Sequence, residues 1–218
     1  MYIQLNSQVI YYERTGEGSP IILLHGNGES HQIFDVLSQD LAQDYTVYAM
    51  DSRGQGESAT PHEYHYADMA EDVVALIHAL EIDHPIIYGY SDGGIVGLLV
   101  AMKYPNILSK LIISGANLTP KGLTGSTRRE IKSHYKKTND PLYKLMMEEP
   151  NINPEALSSI TVPVLVLAGE KDIVKSSETK KIASALADAT LRILSKETHG
   201  SYVVHSEKLA PLIREFIS

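Results

Sequence analysis

The feature that most restricts this chain is a repeated texture: short aliphatic and β-branched runs, each closed by a polar or glycine turn and followed by a helical period. The runs are Ile21–Leu24, Thr46–Met50, Pro85–Tyr90, Lys110–Ser114, Pro163–Ala168 and Thr190–Leu194. Runs that are apolar on both sides belong in a parallel sheet with helices on both faces. The helical stripes between them are Ile33, Val36, Leu37 and Leu41; Met69, Val73, Leu76, Ile77 and Leu80; Ile95, Leu98, Leu99 and Met102; Ile182 and Leu186; and the closing Leu209, Leu212, Ile213 and Phe216. Ahead of the first run, alternation in Tyr2–Leu5 and Val9–Glu13, broken at Asn6-Ser7-Gln8, predicts a β-hairpin that ends at the turn Thr15–Pro20.

One stretch departs from this rhythm. From Asn117 to Ser159 no strand pattern occurs, and Lys121–Lys144 holds seven Lys or Arg against two acids. It reads as an insertion between two strands, with short helices around Arg128–Lys137 and Pro141–Glu149. Residues 1–116 and 160–218 then form one core, in keeping with 218 residues and a 43% hydrophobic composition.

Charge and composition narrow the partners. With 27 acids against 19 bases the net charge is −8, which repels phosphate backbones and anionic membranes, so neither nucleic acid nor a membrane is expected. The chain has no cysteine, which excludes disulfides, thiolate metal sites and cysteine nucleophiles. Met1–Leu5 has no basic segment followed by an apolar run, and no long apolar stretch follows. A cytoplasmic monomer or homodimer is the expectation.

The chemistry begins at Gly89-Tyr90-Ser91-Asp92-Gly93, a G-x-S-x-G turn between an apolar run and the helical stretch Gly94–Lys103. Small residues on either side of the serine let strand and helix pass closely, and the hydroxyl stands at the positive end of a helix dipole. The bland alternative is a glycine-rich turn with an incidental serine. A serine hydroxyl is a weak nucleophile; it needs an imidazole base, and the base needs a carboxylate to orient it. Asp172 follows the run Pro163–Ala168 in Gly169-Glu170-Lys171-Asp172, and His199 follows Thr190–Leu194 in Thr198-His199-Gly200. Ser91, Asp172 and His199 are therefore the candidate triad. An acyl-transfer site also needs two N–H donors for an oxyanion. The turn His25-Gly26-Asn27-Gly28 follows the first run, so the backbone amides of Asn27 and Asp92 are the candidate donors, with His25 a loop-bracing imidazole.

His25–Gly28, Asp51–Ser58, Gly89–Gly94, Gly169–Asp172 and Thr198–Gly200 together resemble the successive signature turns of the α/β-hydrolase superfamily, in its esterase-like branch, over nearly the whole chain. The resemblance implies an α/β fold with an eight-stranded, mostly parallel sheet, its first strands antiparallel, and a small helical cap at 117–159. It implies that Asp51–Ser58 braces the loops around the oxyanion turn, and it implies a cofactor-independent serine hydrolase acting on a small carboxylic ester or related acyl substrate. Carbon–carbon, lactone or thioester cleavage uses the same constellation, and some members are slow-turnover sensors of small ligands.

Other residues carry two readings. Asp92 resembles the acid that meets a substrate amine in valacyclovir-hydrolase-like enzymes, or is a solvated carboxylate at a helix start. His31 and Phe34 line the substrate pocket, or are a helix-start polar residue and a core aromatic. Leu145 and Met146 share a helical face with Leu142 that roofs the site or packs on the body. The basic insertion attracts an anionic acyl group, or is a solvated helix face. His62-Glu63-Tyr64-His65 lacks the spacing of a metal motif and reads as surface loop, and neither Gly54-x-Gly56 nor Gly93-Gly94-x-x-Gly97 has the spacing of a dinucleotide loop. No metal or organic cofactor is expected.

Overall fold

A computed structural model describes residues 1–5 and 7–218. The opening alternation forms β1 (Tyr2–Leu5) and β2 (Gln8–Thr15), paired antiparallel with Tyr2 opposite Tyr11 and Leu5 opposite Gln8. Gln8, expected in the break, belongs to β2; Asn6 lies outside the described residues. The six aliphatic runs become β3 (Ser19–Leu24), β4 (Tyr45–Met50), β5 (Ile86–Tyr90), β6 (Lys110–Ser114), β7 (Val164–Lys171) and β8 (Ala189–Thr198).

The strands form one sheet in the order β1-β2-β4-β3-β5-β6-β7-β8. β2 pairs antiparallel with both β1 and β4, and every other pairing is parallel. So β2 alone runs against the rest, a sharper result than an antiparallel start.

The helical stripes form α1 (Asp35–Leu41), preceded by a 3₁₀ turn at His31–Phe34, then α2 (Tyr66–Ala79), α3 (Asp92–Lys103), α6 (Ser176–Ala185) and α7 (Leu209–Ile217). Alternate residues of the same strands feed two cores. Ile22, Leu24, Ile87, Leu111, Ile113 and Val166 pack with α2, α3 and α6, while Ile21, Leu23, Tyr88, Ile112, Leu165 and Leu167 pack with α1 and α7. This is why the strands read as unbroken apolar runs: the period-two alternation separates two buried faces, not an inside from an outside.

Between β6 and β7 the chain forms a 3₁₀ turn at Pro120–Gly122, α4 (Gly125–Thr138), α5 (Pro141–Glu148) and a second 3₁₀ turn at Pro154–Ser159. The caps are legible in the sequence: Thr124 Oγ1 accepts the Thr127 N–H, Asn139 closes α4 with φ 55°, and Asp140 accepts the Leu142 N–H ahead of Pro141. The end of α5 is tied to the start of α2 by Glu149, whose carboxylate meets His65 Nδ1 at 2.7 Å and accepts the Tyr66 N–H at 3.1 Å. Among the described residues no helix is long and apolar enough to cross a membrane.

Candidate active site

Every candidate residue of the triad follows the C-terminal end of a parallel strand: Ser91 after β5, Asp172 after β7 and His199 after β8. Their side chains meet. His199 Nδ1 lies 2.6 Å from Asp172 Oδ1, and His199 Nε2 lies 3.0 Å from Ser91 Oγ. The Asp172 side chain is 3% exposed and also accepts the N–H groups of Val174 (2.9 Å) and Gly169 (3.2 Å). An ionised carboxylate only accepts, so the imidazole proton sits on Nδ1 and the Nε2 lone pair faces the serine hydroxyl.

Ser91 stands in a strained backbone, φ 53° and ψ −113°, a region that side-chain-bearing residues rarely occupy. The strain is held by its surroundings. The Ser91 N–H donates to the Ser114 carbonyl at 2.7 Å, and the Gly93 N–H to the His25 carbonyl at 3.0 Å. A Cβ on Gly93 would collide with the Leu24 carbonyl, so the elbow can lie against β3 only because that position is glycine. Gly115, just past β6 with φ 61°, has a similar effect that the sequence did not announce: a Cβ there would come within 2.6 Å of His199 Cε1.

The turn after β3 lies beside the elbow. Among the described residues, the backbone N–H groups of Asn27 and Asp92 have no acceptor, while those of Gly26 and Gly28 on either side of Asn27 donate to Glu29 (3.0 Å) and Gln55 (2.6 Å). His25 is buried; its Nδ1 lies 2.7 Å from the Gly26 carbonyl and its Nε2 accepts the Ser52 N–H at 3.0 Å. Burial pushes its pKa down, in keeping with a neutral brace. The Asp51–Ser58 segment completes the support: Asp51 accepts the His31 and Glu57 N–H groups, and Ser58 Oγ donates to the Asp51 carbonyl.

Asp92 is neither solvated nor vacant. It is buried, and its carboxylate accepts from Asn27 Nδ2 at 2.9 Å, with the Tyr66 hydroxyl as an electrostatic neighbour. Burial pushes its pKa up to about 6 against the influence of Asn27 and Tyr66, which favour the charged form. Asn27 Nδ2 also donates to the Leu142 carbonyl at the start of α5, at 3.3 Å.

The four residues expected to line a substrate pocket have partners of their own. His31 is buried and held by Asp51 at 2.9 Å and Glu13 at 3.3 Å, because its imidazole completes the loop brace. Phe34 is fully buried, edge-on to Tyr88. Leu145 belongs to the main core, and Met146 lines a cavity between α4 and α5 that no triad residue borders. Three residues missed in the sequence also lie at the site. Glu29, its pKa raised by burial, accepts the Gly26 N–H at its carboxylate beside Ser91 and donates its own N–H to the Gly26 carbonyl at 3.4 Å. Tyr90 packs its ring 5.0 Å from that of His199, and Tyr66 reaches Asp92 from the start of α2. Only Glu29, an acid inside a glycine turn, carried any local signal.

Residues 19–143 match the family described as alpha/beta hydrolase fold. Over 99% of its length the chain is 26% identical to serine hydrolase BPHL of Homo sapiens, covering 85% of that protein. It is equally 26% identical to the AB hydrolase superfamily protein YisY of Bacillus subtilis, over 99% of this chain and 98% of that one. Among solved structures, an esterase from Exiguobacterium antarcticum superposes with a TM-score of 0.86 at 22% identity, covering 100% of this chain and 99% of the other. Fold, strand order and the matched residues agree: the chain belongs to the alpha/beta hydrolase fold family.

Proposed function

We propose that this protein is a cofactor-independent serine hydrolase that cleaves a small carboxylic ester or related acyl compound through an acyl-enzyme. The observation that carries the reading is the hydrogen-bonded line from Asp172 through His199 to Ser91, at 2.6 and 3.0 Å. The esterases and serine hydrolases among its relatives support it.

Ser91 Oγ attacks the carbonyl carbon while His199 Nε2 takes the hydroxyl proton, and Asp172 stabilises the imidazolium that results. The negative charge that develops on the carbonyl oxygen is met by the amides of Asn27 and Asp92, whose N–H groups are not used within the described chain. Collapse breaks the bond to the leaving group, which receives the proton from His199. Water then adds to the acyl-enzyme and gives a proton to His199; collapse breaks the bond to Ser91 Oγ, which takes that proton back from His199, and releases the carboxylic acid.

Residues 117–159 act as a small cap over a core of 1–116 and 160–218. The support is the contact of Asn27 with the Leu142 carbonyl, which sets the start of α5 beside the oxyanion turn. Recognition of a substrate amine by Asp92 is disfavoured, because its carboxylate is buried and already accepts from Asn27.

The test is hydrolysis of p-nitrophenyl esters from acetate to decanoate by the protein and its Ser91→Ala variant, with fluorophosphonate labelling read by mass spectrometry. Turnover that falls by about three orders of magnitude or more in the variant, with label on Ser91 alone, is the expected result. Near-unchanged turnover in Ser91→Ala, or label elsewhere, overturns the assignment.

A further inference from the structure

The cavity between α4 and α5, about 470 Å³, lies outside the site built around Ser91 and has a composition of its own. Its floor is apolar: Ile131 is buried, and Met146 and Met147 pack with it. Its rim is cationic. Arg128 and Lys132 stand one turn apart on α4, and Lys121 faces them from the 3₁₀ turn at Pro120–Gly122. Among the described residues none of these three cations is in an ion pair. Glu148 also borders the cavity, and its carboxylate lies 4.0 Å from Lys144.

A protein of net charge −8 thus gathers unneutralised positive charge around one concave, apolar-floored volume. Like charges one turn apart on a helix repel each other, a cost that an anion between them removes. The volume lies in the range of small-molecule sites, where an apolar lining supplies area and a few convergent polar groups supply orientation. Arg128 offers a planar fork suited to two oxygens of one head group. A macromolecular acidic surface would use the outer cations Arg129, Lys136 and Lys137 as readily and would leave the methionine floor unfilled.

We propose that this groove is a binding site, separate from Ser91, for a small amphipathic anion whose apolar body rests on Ile131, Met146 and Met147 and whose carboxylate-, sulfonate- or phosphate-type head is held by Arg128, Lys132 and Lys121.

The probe is 8-anilinonaphthalene-1-sulfonate, titrated into the full chain by fluorescence and calorimetry, with uncharged N-phenyl-1-naphthylamine as its counterpart. The methyl resonances of Ile131, Met146 and Met147 are followed by NMR. One-to-one binding that shifts those methyls is expected, weakened about tenfold or more by Arg128→Gln/Lys132→Gln, the loss of a charge-assisted hydrogen bond. Arg129→Gln/Lys137→Gln removes equal charge from α4 outside the cavity lining and leaves affinity within about twofold, and the uncharged probe binds about tenfold more weakly than the anion. Equal weakening by both double variants, no weakening by the first, or shifts confined to methyls elsewhere each overturn the proposal. Thermal unfolding of each variant confirms that folded protein is compared.

Discussion

The side-chain amide of Asn27 donates to the carboxylate of Asp92 at 2.9 Å and so joins two turns 65 residues apart in the chain. Among the described residues the backbone N–H of each has no acceptor, so a side-chain contact sets the spacing of two main-chain donors. Asn27→Ala keeps its backbone N–H but leaves Asp92 one donor short and frees the Leu142 carbonyl. The expected cost is about 1–3 kcal/mol in denaturant unfolding, that of leaving a buried acceptor unpaired. Asn27→Asp, which places a second carboxylate against the first, destabilises more near neutral pH than in acid. An Asn27→Ala variant as stable as the parent would show that the contact does not hold the turns.

Asp92 makes stability depend on pH in an unusual direction. Its pKa in the folded protein, about 6, lies above the ordinary 3.8, so the folded state binds the proton more tightly than the unfolded state does. The penalty for burying the charge is absent below about pH 4, grows as pH rises towards about 6, and stays constant above that, at about 3 kcal/mol. Asp92→Asn is expected to match the parent near pH 4 and to exceed it by about 1–3 kcal/mol near pH 8. Urea unfolding of both proteins across that range checks it; a difference that does not change with pH refutes it.

Ser91 occupies a φ of 53°, where glycine is unstrained. Ser91→Gly and Ser91→Ala both remove the hydroxyl, but only the first relieves the backbone. We expect Ser91→Gly to be the more stable by about 1 kcal/mol, the strain released less the added entropy of an unfolded glycine. Guanidinium unfolding of the two variants measures the difference, and equal midpoints would mean that the elbow stores no strain.

Arg53 holds the loop after β4 against α2. Its Nε and Nη2 donate to Asp72 at 2.7 and 2.8 Å, and its Nη1 to Asp68 at 3.0 Å. Asp72 is fully buried, and burial raises its pKa in spite of the arginine. Arg53→Met is expected to cost about 3–5 kcal/mol, because it leaves a carboxylate buried and unpaired. Adding Asp72→Asn should recover part of that loss. A double variant no more stable than Arg53→Met alone would place the cost in lost packing of the arginine stem.

Much of the fold was legible in local chemistry. Aliphatic runs with glycine turns specify a two-faced sheet, and the residues just past β5, β7 and β8 stand where parallel strands deliver their ends to one side. Ser91, Asp172 and His199 were therefore readable from their positions after strands, and Asn27 from the glycines around it. The surroundings of the four residues expected to line a pocket were not. Whether His31, Phe34, Leu145 or Met146 faces Ser91 depends on rotamers, on the angle at which α5 meets the core, and on competing partners such as Asp51 and Tyr88, none of which has a sequence period.

The sequence by itself determined the layers, the strand ends and the residue types that meet there, because burial and turn chemistry act over a few neighbours at a time. Only the tertiary structure decided that Asn27, the buried Asp92 and Tyr66, and the Leu142 carbonyl gather beside the elbow, and that Gly115 makes room for His199. Those contacts join segments up to 115 residues apart, and hydrogen bonding in a desolvated site selects partners by distance in space, on which neighbouring sequence has no hold.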